Sequence, residues 1–228
     1  MKKTEYRRIE GYMLAQMKDS AHDRHHIYRV LNFALDIAGH AAACDMDVLL
    51  AACLLHDIGR EQQFADLELC HAEIGGGMAH TFLLSLGWPE DRALHVKACI
   101  ATHRYRRESR PGSVEAEILF DADKLDACGA IGLARTLAYS GQIAEPLYIM
   151  DEAGDILTAG GGAEISSFFQ EYNYKLKHVY DAFYTARAKE IALARQKAAV
   201  DFYDSLFSEL TENYENGLKR YAPFLRES

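Results

Sequence analysis

Residues 48–59 read VLLAACLLHDIG, an apolar run that ends in a histidine and an aspartate. Apolar residues on all sides predict a central, buried helix over 46–58, with Gly59 as its stop. His56 and Asp57 would then end a buried segment, where an imidazole and a carboxylate need a partner. A divalent metal ion is the commonest strong partner for such a pair, but a histidine stabilised by the helix dipole explains it equally well. The pair indicates a metal site only if further ligands lie elsewhere in the chain.

The remaining sequence predicts helices almost throughout. In residues 23–39 apolar side chains recur at helical spacing, with Ser20 or Asp23 as candidate N-cap. No alternation of apolar and polar residues is long enough to indicate a strand. Residues 140–163, which are rich in glycine and contain Pro146, are predicted to be irregular. The predicted fold class is therefore all-α. The other predicted helices cover residues 71–86, 89–103, 113–138 and, as one or two long helices, 164–210.

Length and composition predict a single domain over residues 1–228. Its 49% hydrophobic and 26% charged residues can fill and cover one core. Within this domain we expect a catalytic core over about 20–140, an irregular segment over about 140–163 and C-terminal helices over about 164–215. No apolar run is long enough for a membrane helix, and the first residues lack the apolar stretch of a secretory signal.

The cysteines indicate the cellular compartment, and the net charge limits the possible binding partners. Five cysteines without a CxxC pair are typical of reduced, mostly buried thiols in a cytoplasmic protein, and indicate neither a zinc knuckle nor a disulfide framework. The net charge of −9 makes extended nucleic acid a poor partner. A small phosphate-bearing substrate is compatible with this charge, because the local charge at the site governs its binding.

Polar groups interrupt apolar segments at two further places. His26 lies beside Ile27 and Val30 in the first predicted core helix, and three acids occur within residues 121–126, DADKLD, inside an otherwise apolar helix. Each feature alone has an ordinary explanation, a structural histidine or a solvated helix face. Together with residues 56–57 they place imidazoles and carboxylates beside core-facing positions, where charge is costly unless a cation compensates it. Such a set suits Mn, Fe, Co, Ni or Zn, and its carboxylates also suit Mg.

These segments resemble the H…HD…D signature of the HD-domain superfamily of metal-dependent phosphohydrolases. Their flanks are similar to one bacterial subgroup of small stand-alone HD proteins, some of which hydrolyse nucleoside triphosphates to monophosphates and pyrophosphate. The resemblance implies an HD-domain helical bundle with a long C-terminal helical segment. The flanks that carry it are His22-Asp23, residues 70–73 (CHAE), 100–106 (IATHRYR), 121–127 (DADKLDA), 185–188 (TARA) and 192–195 (ALAR).

The resemblance implies a single divalent ion, Mn, Mg, Co, Ni, Fe or Zn, held by four side chains. Asp123, not Asp121, matches the ligand of the family's Ala-Asp-x-Leu element. Asp121 and Asp126 would then stabilise a helix or orient a ligand histidine through its other ring nitrogen. The four implied ligands are His26, His56, Asp57 and Asp123.

Two further histidines, His71 and His103, match segments that supply a second metal in two-metal members of the superfamily. They could bind a second ion here. We favour the alternative that they donate protons or contact phosphate around one ion. Glu73 is a candidate base for activating water. Lys124, which directly follows Asp123, could meet a phosphate or form a salt bridge.

The segment after His103 is locally basic, with four arginines within residues 104–110. The planar guanidinium suits phosphate oxygens, so Arg104 and Arg106 are predicted to bind phosphate, with a solvated loop as the alternative. Residues 75–77 are glycines, but no strand precedes them and no Lys-Ser or Lys-Thr follows. These glycines are therefore predicted to allow close helix packing beneath the site.

The sequence thus predicts a metal-dependent phosphohydrolase that acts on a small phosphorylated substrate, with a nucleotide as the leading candidate. Conversion of a nucleoside triphosphate to monophosphate and pyrophosphate is the specific reaction that the subgroup suggests. A nucleotide phosphomonoesterase or cyclic phosphodiesterase would use the same metal site. An HD-type di-iron oxygenase would also use His71 and His103, and a regulatory module without catalysis would not need the complete ligand set. A homodimer is left open.

Overall fold

The structure is a computed structural model that describes residues 1–17, 24–66, 68–104, 110–160 and 167–225. In these ranges the regular structure is helical, apart from one isolated antiparallel bridge between Met150 and Ile156, which confirms the all-α prediction. None of the described helices combines the length and the apolar character needed to cross a membrane. The α-helices are α1 (Lys3–Gln16), α2 (Arg24–Ala38), α3 (Met46–Leu55), α4 (Arg60–Ala65), α5 (His71–Ser85), α6 (Glu90–Ala101), α7 (Val114–Leu125), α8 (Gly129–Gln142), α9 (Phe168–Tyr174) and α10 (Ala186–Tyr221), with 3-10 helices at Leu176–Asp181 and Ala222–Phe224.

The chain divides into two compact units. Unit 1 consists of Met1–Asp126 and Phe183–Ile191, and unit 2 consists of Ala127–Ala182 and Ala192–Ser228. Helices α1–α7 and the start of α10 belong to unit 1, whereas α8, α9 and the rest of α10 belong to unit 2. All the predicted site residues that the structure describes lie in unit 1. The prediction of one domain over residues 1–228 stays a prediction.

Helix α3 is the centre of unit 1. It packs against α1, α2, α5, α6 and α7. The carboxylate of Asp45 caps it by accepting hydrogen bonds from the backbone N–H groups of Asp47 and Val48, at 3.0 and 3.2 Å. The predicted central helix is thus confirmed, although it ends at Leu55 and residues 56–59 form a turn. Its fully buried side chains are Val48, Leu49, Ala51, Ala52, Cys53, Leu54 and Leu55.

The prediction of one helix over residues 113–138 is wrong, because two helices form there. Helix α7 ends at Leu125 and α8 begins at Gly129. The φ angle of Gly129 is +71°, a left-handed conformation that interrupts an α-helix and that glycine adopts readily. Within unit 2 the Gly129 N–H donates to the hydroxyl of Tyr180 at 2.9 Å. This bond stabilises the new helix start.

Two helices, α1 and α4, have no counterpart among the predicted ones. Helix α1 buries only Ile9 and Met13, and the six-residue α4 buries no residue. Neither helix therefore carries the apolar periodicity from which helices are predicted. The predicted helices over 23–39, 71–86 and 89–103 correspond to α2, α5 and α6. Those predicted over 164–210 correspond to α9 and α10. Both candidate N-caps of α2, Ser20 and Asp23, lie outside the described residues.

Asp121 fixes the start of α10 within unit 1. Its buried carboxylate accepts hydrogen bonds from the N–H of Tyr184 at 2.9 Å and from the N–H and the hydroxyl of Thr185 at 2.7 Å each. Burial raises the pKa of Asp121, and the three hydrogen bonds oppose that rise. Asp121 therefore stabilises a helix start, which was one of the two roles expected for it.

Two glycines let α5 approach the turn after α3 at backbone distance. A Cβ on Gly59 would lie 2.3 Å from the carbonyl oxygen of His71 and 2.7 Å from the backbone nitrogen of Gly75. A Cβ on Gly76 would lie 3.1 Å from the carbonyl oxygen of Lys97, whereas one on Gly77 would meet nothing within 4 Å. The predicted close helix packing therefore holds for the first two of the three consecutive glycines.

Substitution of Gly59 by alanine is expected to lower the free energy of unfolding by about 1–3 kcal/mol, because backbone atoms must move to accommodate the new methyl group. The matched control is Gly77→Ala in the same region, where the methyl group has space. That control is expected to change stability by at most about 1 kcal/mol, in the stabilising direction typical of Gly→Ala in a helix. Urea unfolding of both variants measures the difference. Equal stabilities would contradict the packing argument.

Candidate metal centre

Six polar side chains of unit 1 meet at the end of the central helix. They come from α2, from the turn after α3, from the first residue of α5, from the residue after the C-cap of α6, and from the last turn of α7. Five of them are buried, and the sixth, Asp123, keeps 29% of its side chain exposed. The set consists of His26, His56, Asp57, His71, His103 and Asp123.

Four of these side chains direct one donor atom each toward a common point. The Nε2 atom of His26 lies 3.3 Å from Oδ1 of Asp123 and 3.5 Å from Oδ2 of Asp57. The Nε2 atom of His56 lies 3.3 Å from Nε2 of His26 and 3.7 Å from each of the same two oxygens. Ligands about 2.0–2.2 Å from one ion have similar separations from one another. The structure therefore brings together the four predicted metal ligands.

The second carboxylate oxygen of Asp57 faces the other two histidines. Its Oδ1 atom lies 3.4 Å from Nε2 of His71 and 3.6 Å from Nε2 of His103. The same oxygen accepts a hydrogen bond from Nε of Arg60 at 3.0 Å. Asp57 thus lies between two pairs of imidazoles, and the guanidinium of Arg60 bonds to the oxygen that faces His71 and His103.

Three of the imidazoles direct Nδ1 to an oxygen that can only accept a hydrogen bond. Nδ1 of His56 lies 2.8 Å from the carbonyl oxygen of Cys53, and Nδ1 of His103 lies 2.6 Å from that of Ile100. Nδ1 of His71 lies 2.5 Å from the side-chain oxygen of Gln63. The proton therefore belongs on Nδ1 in all three rings, and Nε2 presents a lone pair to the centre.

His26 is oriented by a buried carboxylate that forms an ion pair with Arg29. Its Nδ1 lies 2.8 Å from Oδ2 of Asp126, and Arg29 donates to both oxygens of that carboxylate, at 2.6 and 3.0 Å. Asp126 has no exposed surface. The expectation that Asp126 orients a ligand histidine through its other ring nitrogen therefore agrees with the geometry.

The protonation states follow from burial and neighbouring charges. Burial lowers the pKa of His56 to about 4, and burial together with the positive charge of Arg60 lowers that of His71 to about 2. Burial alone would raise the pKa of Asp57, but Arg60 and the adjacent imidazoles hold it well below its usual range. His26 differs: burial lowers its pKa, but hydrogen bonds to three carboxylates outweigh this and raise it to about 10.

The donor set fits a divalent cation. Oδ2 of Asp57 and Nε2 of His71 are buried atoms without a hydrogen-bond partner in the described part of the chain. Two groups of side chains are close enough to share an ion, one formed by His26, His56 and Asp123 and one by His56, Asp57 and His103. Buried acceptors that face one another repel unless a positive charge lies between them. Imidazole and carboxylate donors together suit Mn, Fe, Co, Ni or Zn.

The structure does not bring all the predicted catalytic residues to this point. Glu73 is exposed and lies about 200° around the axis of α5 from His71, given 100° per residue. It forms no hydrogen bond or ion pair with another described residue. The ammonium of Lys124 lies 4.6 Å from the ring centre of Phe120 and 5.9 Å from that of Phe183, so it contacts aromatic faces.

Of the two arginines predicted to bind phosphate, the structure describes Arg104. Its Nη1 lies 3.8 Å from Sγ of Cys70, and its charge helps to lower the pKa of the adjacent His71, which places it beside the centre. Arg106 lies outside the described residues. Roles for Glu73, Lys124, Arg104 and Arg106 stay predictions.

Sequence reasoning did not identify three residues that support the side chains of the centre. Arg60 follows the quoted segment directly and is three residues from Asp57, to which it bonds, so this spacing could have indicated the contact. Arg29 bonds to Asp126, which orients His26. Gln63 carries no such signal, because its partner His71 belongs to a different helix.

Comparison with known proteins identifies an HD domain in the part of the chain that carries the centre. Residues 24–128 match the family model of the HD domain. The Bacillus subtilis protein YpgQ is 27% identical over 197 residues, which cover 85% of this chain and 86% of YpgQ. A crystal structure of YpgQ in complex with ADP has a TM-score of 0.68 and 25% identity, with 90% of this chain and 97% of that chain covered.

Two further solved structures share the fold. A Lactobacillus plantarum protein has a TM-score of 0.74 and 26% identity, covering 93% of this chain and 99% of its own. An HD-superfamily hydrolase from Bacillus thuringiensis has a TM-score of 0.68 and 27% identity, covering 92% and 98%. Fold and site together define the class as a metal-dependent phosphohydrolase. The match to the HD domain covers residues 24–128, which include all six side chains of the centre.

Replacing Asp126 by asparagine is expected to weaken the affinity for Mn²⁺ by about 10–100-fold, because His26 loses the carboxylate that orients it. Isothermal titration of the folded variant with Mn²⁺ measures this. Asp121→Asn is the matched control, since it alters a buried carboxylate of the same helix that caps α10 instead. The control should unfold at a lower temperature and keep its Mn²⁺ affinity. A similar loss of affinity in both variants would contradict the role of Asp126.

Binding of Mn²⁺ at pH 8 is expected to release about one proton per ion, because a ligand must be deprotonated and the pKa of His26 is raised to about 10. The raised pKa means that the proton is held below pH 10, so apparent Mn²⁺ affinity should rise between pH 7 and pH 9. Titration calorimetry in two buffers of different ionisation enthalpy counts the protons. Binding without proton release would show that His26 is neutral in the metal-free protein.

Proposed function

We propose that this protein hydrolyses a phosphate bond of a nucleotide, most specifically a nucleoside triphosphate to monophosphate and pyrophosphate. The observation that supports the proposal is the meeting of four donor atoms, from His26, His56, Asp57 and Asp123, in which the five separations that involve a histidine nitrogen are 3.3–3.7 Å. Their position at the end of a buried helix matches the H…HD…D pattern of the family.

The four side chains would hold one divalent ion, for which Mn is our first choice. Two imidazoles and two carboxylates favour a borderline transition metal, whereas Mg prefers oxygen ligands. A bound ion of this kind acts as a Lewis acid toward a phosphoryl oxygen and lowers the pKa of a coordinated water. Asp123 is the ligand with an exposed surface, so substrate would approach on its side.

Positive charge next to the ligands supports a phosphate substrate. Arg60 bonds to Asp57, and Arg104 lies beside His71. Guanidinium groups bind phosphate oxygens with two parallel hydrogen bonds and compensate charge that develops on a leaving phosphate. The nucleotide class is supported by YpgQ, the relative whose crystal structure is in complex with ADP.

Water at the centre would be oriented by groups inside it. Glu73 faces away from His71 and is exposed, which disfavours it as the base. Nε2 of His71 is a buried acceptor without a partner among the described residues. It can accept a hydrogen bond from a water or a leaving group at the centre, whereas Oδ2 of Asp57 faces the ion.

A di-iron oxygenase is the second candidate function. The observation that favours it is that Nε2 atoms of His71 and His103 both face Oδ1 of Asp57, as ligands of a second ion would. Arg60 donates to that same oxygen and opposes this alternative. Two irons per chain with oxygen-dependent turnover would establish the oxygenase and exclude the hydrolase.

A screen of nucleotides tests the proposal. Nucleoside tri-, di- and monophosphates and cyclic nucleotides are incubated with the protein and Mn, Co, Ni, Mg or Fe in turn, and phosphate and pyrophosphate are measured separately. We expect Mn-dependent release of pyrophosphate from a triphosphate. Phosphate from a monophosphate, or opening of a cyclic nucleotide, would indicate the related esterase activities. No product from any nucleotide with metal-loaded, folded protein would contradict the proposal.

Asp123→Asn is expected to reduce this turnover by more than about 100-fold, because it removes the charged ligand on the accessible side of the centre. Glu73→Gln is the matched control, since it neutralises an exposed carboxylate on α5. The control is expected to retain turnover within about twofold of the wild type, because Glu73 faces away from the centre. Loss of turnover in Glu73→Gln would instead support the prediction that Glu73 is the base that activates water.

A further inference from the structure

We propose that Gln63 is a positioning residue for His71: its amide oxygen holds the imidazole proton on Nδ1, so that Nε2 accepts a hydrogen bond from a water in the centre. The inference rests on the proposed phosphohydrolase function and deepens it. It concerns a residue that the H…HD…D pattern does not include. It also bears on the roles predicted for His71, because an imidazole in this state accepts a hydrogen bond at Nε2 and is not a proton donor there.

The two ring nitrogens of His71 have different surroundings. Nδ1 lies 2.5 Å from the side-chain oxygen of Gln63. Nε2 lies 3.4 Å from Oδ1 of Asp57, but it is buried and forms no hydrogen bond with any described residue. An amide oxygen accepts hydrogen bonds and cannot donate one. The short contact therefore requires the proton on Nδ1 and leaves a lone pair on Nε2.

His71 depends on a side chain for this orientation, unlike the two other histidines that carry their proton on Nδ1. His56 and His103 follow helix ends, and each bonds to the backbone carbonyl oxygen three residues earlier. His71 is the first residue of α5, where the free backbone groups are N–H donors. Its acceptor has to come from another element, and α4 supplies Gln63. A single side chain thus decides the tautomer of His71.

Local backbone structure places Gln63 beside the start of α5. Helix α4 packs against α5, and the N–H of Gln63 donates to the carbonyl oxygen of Gly59 at 3.3 Å. A Cβ on Gly59 would lie 2.3 Å from the carbonyl oxygen of His71, so the turn before α4 and the start of α5 are in backbone contact. The half-buried amide of Gln63 is therefore held at hydrogen-bond distance from His71.

The partner of His71 is neutral, whereas the partner of His26 is charged. Burial lowers the pKa of His26, but hydrogen bonds to carboxylates, Asp126 among them, outweigh this and raise it to about 10. Burial lowers the pKa of His71 to about 2, and the charges of Arg60 and Arg104 add to this effect. An amide carries no charge that would oppose it. His71 therefore stays neutral and keeps its lone pair.

A lone pair at this position selects its contact. The ionised oxygens of a phosphate are acceptors, and so is Nε2 of His71, so the two do not bond to each other. Water donates a hydrogen bond and is the nucleophile of a hydrolysis. A water held by Nε2 lies beside Asp57 and is oriented by a fixed acceptor, which favours its attack on a bound substrate. Gln63 contributes to this orientation through His71 alone.

The tautomer of His71 tests the first step. Nitrogen NMR of the isotope-labelled, Zn²⁺-loaded protein, which is diamagnetic, distinguishes protonated from unprotonated ring nitrogens, and the signals of His71 are identified by their loss in His71→Ala. We expect a protonated Nδ1 and an unprotonated Nε2 in the wild type. In Gln63→Met, whose side chain has a similar length and no amide, the proton is expected to move to Nε2 and to be donated to Asp57.

Gln62→Met is the matched control for this experiment. It alters the adjacent glutamine of α4, whose Oε1 has no hydrogen-bond partner among the described residues. The nitrogen signals of His71 should therefore stay as in the wild type. The control is also expected to keep kcat within about twofold of the wild type.

Turnover of the nucleotide that the screen identifies tests the second step. Gln63→Met is expected to lower kcat by about 10–100-fold and to change KM and Mn²⁺ affinity by less than about threefold, because the water loses its acceptor while the ion keeps its ligands. His71→Ala is expected to lower kcat by a similar factor. The double variant Gln63→Met, His71→Ala should have the kcat of His71→Ala, because Gln63 acts only through His71.

The outcomes separate this inference from the proposed function. A wild type with the proton on Nε2, or an unchanged tautomer in folded Gln63→Met, would overturn the inference whether or not the protein is a hydrolase. An unchanged kcat in Gln63→Met, or additive losses in the double variant, would overturn the positioning role. A wild type that shows the expected tautomer but hydrolyses no nucleotide would instead overturn the proposed function. Should Gln63→Met not fold, the spectrum of the wild type decides: a proton on Nδ1 supports the inference, and one on Nε2 overturns it.

Discussion

The buried carboxylate of Asp57 is the constraint on which the site and much of unit 1 depend. Its two oxygens face four imidazoles, His26 and His56 on one side and His71 and His103 on the other. A charge removed from water is tolerated only when several partners compensate it. Helices α2, α5 and α6 therefore all present an imidazole to the turn that follows α3. The contact of Gly59 with α5 brings these elements close enough.

The four imidazoles are oriented in two ways, according to where they lie on their helices. His56 and His103 follow helix ends, and each bonds to the carbonyl oxygen three residues earlier. The last carbonyl groups of a helix lack partners within it, so they are free to accept these bonds. His26 and His71 lie at helix starts, where the free backbone groups are N–H donors. Their Nδ1 atoms bond to acceptor side chains, an aspartate and a glutamine.

The sequence predicts those parts of the site that combine polar residues with an apolar pattern. His56 and Asp57 interrupt a fully apolar helix and are therefore conspicuous, and the HD resemblance adds His26 and Asp123 to them. Arg60 and Gln63 escape prediction because α4 buries no residue and has no apolar periodicity. Glu73 is the opposite case: it is close to His71 in sequence, but two residues along a helix turn its side chain to the far face. The break between α7 and α8 is hidden because Gly129 lies within a continuous apolar pattern, and only its positive φ reveals it.

The charge at the proposed centre is positive, whereas the net charge of the chain is negative, and Arg60 contributes to this difference. The chain carries a net charge of −9, yet the two carboxylate ligands and one divalent ion together are neutral. The pair formed by Arg29 and Asp126 is neutral as well. Arg60 therefore leaves the proposed centre with an excess positive charge, and Arg104 adds to it. This local excess of positive charge favours the binding of an anionic phosphate at the proposed centre, although the whole chain is acidic.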